Sequence, residues 1–106
     1  MSSLEESDKE AGAVAVAPRV SLADIEAAIA STNYAGGGSI TGNEHDDILT
    51  ICVLKLHNGW TVVGKSAPAS PTNFNQALGE KLAREDCIRQ LWPLMGFALR
   101  EKLSRE

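Results

Sequence analysis

Asn58-Gly59 is the feature of this sequence that most restricts its fold, because it sits between two apolar runs, Ile48 to Leu56 and Trp60 to Val63. In that setting Asn-Gly signals a β-hairpin, since a type I′ turn needs positive φ at both central residues. A two-residue turn would set His57 opposite Trp60, Lys55 opposite Val62 and Leu54 opposite Val63. Alternation then places Trp60, Val62 and Lys55 on one sheet face and Cys52, Leu54, Val63 and Lys65 on the other. The first run is almost wholly apolar, so both of its faces are expected to be covered.

Helices are expected on either side of the hairpin. Ser21 and Asp24 have the spacing of a capping-box variant, and Leu22, Ile25, Ala28 and Ile29 follow on one helical face. This short N-terminal helix should end near Ser31–Asn33. Gly36-Gly37-Gly38 and the residues around it, Tyr34 to Asn43, read as a flexible loop or a ragged strand. Ser70 and Pro71 read as the cap and first position of a helix with Phe74, Ala77, Leu78, Leu82 and Ile88 on its buried stripe. Pro93 predicts a kink or restart, after which Leu94, Phe97 and Ala98 carry a last helix to near Ser104. The fold class is α+β: an antiparallel β-hairpin or small sheet packed with C-terminal helices, preceded by a short N-terminal helix.

At 106 residues the chain fits one domain. Residues 1–19 read as a disordered acidic tail and residues 20–106 as the single folded domain. Residues 1–50 carry nine acids against two bases, whereas residues 51–106 carry eight bases against five acids. The basic half favours an anionic partner, but its excess is too small for duplex nucleic acid. No apolar run approaches the ~20 residues of a membrane span, and no signal peptide is legible, so a cytoplasmic protein is expected. Cys52 and Cys87 stand in apolar surroundings and read as reduced, buried thiols. The apolar surface of Trp92, Leu94, Met95 and Phe97 exceeds what the expected elements cover, so a homo-oligomer, at least a dimer, is expected.

The residues favour binding over catalysis. His45 lies in a polar loop and His57 at the hairpin turn, and neither cysteine has a base beside it in the pattern, so no catalytic residues are assigned. Asn43-Glu-His-Asp-Asp47 has no metal-cage spacing, so neither a metal nor a cofactor is expected. Gly59 to Ser66 matches the letters of a P-loop, but its four middle residues read as strand and Ala67-Pro68 stands where a helix should begin. For an anionic ligand the candidates are Trp60 as a stacking ring, Asn73 as an orienting group, and Lys65, Arg84, Arg89 and Arg100 as phosphate partners.

The run Ile51-Cys-Val-Leu-Lys-Leu-His-Asn-Gly-Trp-Thr-Val-Val-Gly-Lys-Ser-Ala67 resembles the hairpin of the gene 66-like family of small tailed-phage proteins. Ser70 to Phe74, Gly79 to Glu85, Leu91 to Phe97 and Leu99 to Glu101 extend the resemblance, which covers about half the chain. It implies a phage or prophage origin. The layout is also similar to that of phage anti-Thoeris sponges, which sequester cyclic ADP-ribose-type signals and, in related members, cyclic oligonucleotides. The resemblance implies an anti-defence binding protein that takes up a small nucleotide ligand intact at a subunit interface. The alternative is a phage protein that inhibits a host protein through its acidic N-terminal part and glycine-rich loop.

Overall fold

The computed structural model describes residues 3–106. Helix α1 (Ser3–Val14) is followed by α2 (Leu22–Ala28), strand β1 (Ile29–Gly36), the single turn α3 (Gly38–Thr41) and a 3-10 turn over Glu44–Ile48. Strands β2 (Thr50–Leu56) and β3 (Thr61–Ser66) come next, then a second 3-10 turn over Pro71–Asn73 and the long helix α4 (Gln76–Ser104). The strands form one antiparallel sheet in the order β1-β2-β3. This is an α+β fold with a short helix before the sheet and a long helix after it, as the sequence indicates.

The hairpin is present, but its register is shifted by one residue. Lys55 pairs with Thr61, Leu54 with Val62 and Val53 with Val63. The loop has three residues: the Gly59 amide donates to Leu56 O at 2.9 Å, and the Leu56 amide donates to Trp60 O at 2.8 Å. Only Gly59 takes positive φ, at +91°, while Asn58 does not, so the type I′ geometry is absent. Asn58 instead turns its side-chain oxygen onto the Trp60 amide, at 3.0 Å. The shift reverses the expected partition: Leu54 is buried, and Val63 is 57% exposed on the opposite face.

One face of the sheet is covered and the other is open. Cys52, Leu54, Leu56 and Val62 turn inward against Ile25 and against Ala83, Cys87, Ile88 and Leu91 of α4. Val53 and Val63 turn outward, so the expectation that both faces of the central strand are covered does not hold. Contact between α4 and the sheet depends on Gly64. A Cβ there would lie 2.7 Å from Cys87 Sγ and closer still to the Ala83 carbonyl oxygen. The helix also covers the β3 edge. Asp86 accepts from the Lys65 amide at 3.0 Å, and Gln90 donates to Val63 O at 2.8 Å, occupying groups that would otherwise template another strand.

Several local expectations are corrected. The capping box of α2 forms as read, with Ser21 Oγ accepting from the Asp24 amide and the Asp24 carboxylate accepting from the Ser21 amide. That helix ends at Ala28, however, and Ile29–Gly36 pairs with β2. The polar sequence of β1 suits an edge strand, which needs a neighbour's hydrogen bonds more than apolar side chains. Helix α4 is capped by Asn75, whose side chain accepts from the Leu78 amide at 3.0 Å, and not by Ser70. Phe74 therefore precedes the helix. Pro93 lies within α4 without interrupting it. Arg89, whose carbonyl loses its amide partner there, and Pro93 are both exposed, so water can satisfy that carbonyl.

The region read as a disordered tail contains α1. Leu4 joins the core cluster, and the Asp8 carboxylate accepts from the Leu22 amide and from Arg19 Nη1, both at 2.9 Å. These partners lie 11 and 14 residues away, beyond the reach of local pattern reading. The Leu22 amide, and then Arg19, hold the Asp8 carboxyl below its ordinary value. A depressed native pKa stabilises α1 docking above the unfolded carboxyl range and loses that contribution as pH falls through the native value. An acid titration followed by circular dichroism should show α1 undocking below pH ~4. In Asp8→Asn that step should already be lost at neutral pH, and an identical titration for both proteins would contradict this docking.

Candidate functional site

The six candidate ligand residues do not converge within one chain. Trp60 follows the hairpin loop at one end of the sheet and is 55% exposed. Lys65 is an exposed residue of β3, its backbone amide tied to Asp86. Asn73 closes the second 3-10 turn, where its amide donates to Ser70 O at 3.0 Å, and it borders a small cleft with Phe74, Leu78 and Leu82.

The arginines divide by helix face. Arg84 is turned toward α2 and forks onto Glu26, with Nη1–Oε1 at 3.0 Å and Nη2–Oε2 at 2.6 Å. The pair raises the Arg84 pKa and holds the Glu26 carboxyl below its ordinary value. A fork already filled by a carboxylate has little left for a phosphate. Arg89 and Arg100 are exposed on α4 and make no ion pair among the described residues. Their eleven-residue spacing brings them to nearly the same face, roughly 16 Å apart along the axis. Arg84 lies about 140° round the helix from Arg89.

A larger cleft lies where sequence reading placed no site. It measures about 350 Å³ and is lined by Tyr34 from β1, Thr50 from β2, Asp47 from the first 3-10 turn, Phe74, and Gln76 and Glu80 from the start of α4. Glycines make room for it. The Asp47 carboxylate accepts from the Gly38 amide at 2.9 Å, and a Cβ at Gly38 would lie 2.6 Å from that same oxygen. At Gly79 a Cβ would stand 2.6 Å from Thr50 Oγ1. The glycine run expected to be slack is thus packed closely around Asp47. Burial raises the Tyr34 hydroxyl above its ordinary pKa, so it remains protonated at neutral pH. The signal for this cleft in the sequence was the glycine run itself, read as close approach instead of flexibility.

Cys52 and Cys87 are both free and buried. Burial pushes the Cys87 thiol up to about 12, so it is not a nucleophile at neutral pH. Among the described residues no group of three His, Cys, Asp or Glu side chains could hold a metal ion, and no helix is long and apolar enough to cross a membrane.

A model of the phage protein (N4 Gp49/phage Sf6 gene 66) family matches residues 20–103. No curated protein and no solved structure matches the chain.

Proposed function

We propose that this chain, which belongs to the phage protein (N4 Gp49/phage Sf6 gene 66) family, is an anti-defence binding protein that sequesters a small cyclic nucleotide signal. The ligand, of the cyclic ADP-ribose type or a cyclic oligonucleotide, is held at an interface between copies and released intact.

One observation carries this reading: an exposed apolar strip on α4 is flanked by uncommitted arginines. Phe97 is 66% exposed and Leu94 41%, while Arg100 follows Phe97 by three residues and so stands beside it on the helix surface. Apolar surface of this kind is removed from water by a partner. A symmetric partner brings its own Arg89 and Arg100 with it, doubling the positive charge around the axis. Guanidinium forks match phosphate oxygens in pairs. Trp60 supplies a ring for stacking, Asn73 an orienting amide and Lys65 a further cation in this scheme. Arg84 acts indirectly, holding α4 to α2 through Glu26.

Light scattering should give at least a dimer at working concentration. Phe97→Glu should shift the protein to monomer and abolish nucleotide binding together with it. A wild-type monomer, or a monomeric variant that binds as tightly as wild type, would contradict an interface site. In that event a pull-down from host lysate tests the host-protein inhibitor reading.

A further inference from the structure

We infer that the outer edge of β1 is an interaction surface for a second copy of this chain, paired antiparallel with the same strand of that copy. The two edges of the sheet differ. On β3 the outward Lys65 amide and Val63 carbonyl are taken by Asp86 and Gln90 of α4. On β1 the corresponding groups are left open. The Gly37 amide donates to Leu49 O at 2.8 Å, one step beyond the Gly36–Thr50 pair. Hydrogen-bonded pairs alternate along an antiparallel ladder, so Ser31, Asn33 and Ala35 bond to β2, while Thr32, Tyr34 and Gly36 turn their amides and carbonyls outward. No other element among the described residues hydrogen-bonds to the main chain of Thr32 or Tyr34.

An edge that meets only water is usually blunted by proline, by a charge or by a bulge. Strand β1 contains no proline and no charged residue. Its one irregularity lies between Ile29 and Ser31, ahead of the regular stretch that carries Thr32 and Tyr34.

A second copy is the occupant this edge fits. Antiparallel pairing about a twofold axis at Asn33 sets Thr32 opposite the partner's Tyr34, so outward groups meet outward groups. Asn33 then faces the partner's Asn33 on the open side of the sheet, where each amide can both donate and accept. The chain carries a net charge of -4, but the strand is neutral, so no like charges are opposed across the axis. Pairing uses the unguarded edge of each sheet and leaves both β3 edges under α4, so it joins two sheets and stops. The contact is short and polar. It holds between α4-paired dimers, which present two such edges at once, and to that extent it rests on the α4 interface proposed above. Alternating twofold contacts then build even-numbered assemblies larger than a dimer.

The test is light scattering on the full chain beside two edge variants. Wild type should form an even-numbered assembly larger than a dimer. Asn33→Asp opposes like charges at an exposed position, and Tyr34→Pro removes an outward amide while leaving the bonds to β2 in place. Each should reduce the protein to the α4 dimer with its circular dichroism unchanged. A wild-type dimer that survives Phe97→Glu but falls to monomer in Asn33→Asp also supports the edge, and it is then the α4 interface that fails. The same assembly size in wild type and in both folded edge variants would overturn the inference.

Discussion

Gly64→Val is expected to destabilise the protein by about 3 kcal/mol or more, at the upper end of what overpacking costs. A branched side chain there meets the Ala83 carbonyl and Cys87 Sγ, which belong to the helix backbone and to a fully buried side chain. Neither can rotate away, so α4 must lift from the sheet along the contact that holds most of the core. In a domain of this size each kcal/mol moves the melting temperature by about 4–8 °C. The drop should therefore exceed about 12 °C by calorimetry. Val63→Ala, one residue away on the open face, should change it by only a few degrees. The two results would exchange places if the two-residue turn set the register, so the pair tests strand pairing as well as packing.

The second large effect concerns the ligand. Trp60→Ala is expected to weaken nucleotide binding by roughly 5- to 150-fold, because stacking on an aromatic ring is worth ~1–3 kcal/mol per base. The exposed position of Trp60 makes this a clean measurement, since its removal leaves the core untouched. Arg100→Lys keeps the charge but loses the fork, and should also weaken binding. Glu26→Gln should affect stability through Arg84 with little direct effect on the ligand. Unchanged affinity in Trp60→Ala would remove Trp60 from the site.

What was legible in the sequence follows from the range of the interactions. The capping box at Ser21 and Asp24 joins residues three apart, and it formed as read. The hairpin was legible for the same reason, because its turn residues lie between its strands. Its register was not, since one positive-φ turn residue or two decides between loop lengths, and of Asn58 and Gly59 only Gly59 takes that conformation. Pro93 suggested a break because its missing amide costs a hydrogen bond, but the affected turn faces water, which lowers that cost. Helix α1 and strand β1 depend on partners far along the chain, Arg19 and Leu22 for one and β2 for the other. The large cleft was hidden most completely. Its residues come from six separate segments, and none of them carries a motif of its own. The ligand candidates fared unevenly. Arg89 and Arg100 stand uncommitted on one face, whereas Arg84 is spent on Glu26, a pairing across 58 residues that no pattern announces.

Nucleotide capture without cleavage is the central claim, and it is tested most directly by melting the purified chain with cyclic ADP-ribose isomers and cyclic dinucleotides, then identifying what is released. A ligand present at 100 times its Kd adds about 2.7 kcal/mol to the native state. That should raise the melting temperature by about 10–20 °C. Chromatography of the heat-released material should then return the same cyclic nucleotide that was added. No shift with any of these nucleotides at millimolar concentration, or recovery of a hydrolysed product, would contradict sequestration.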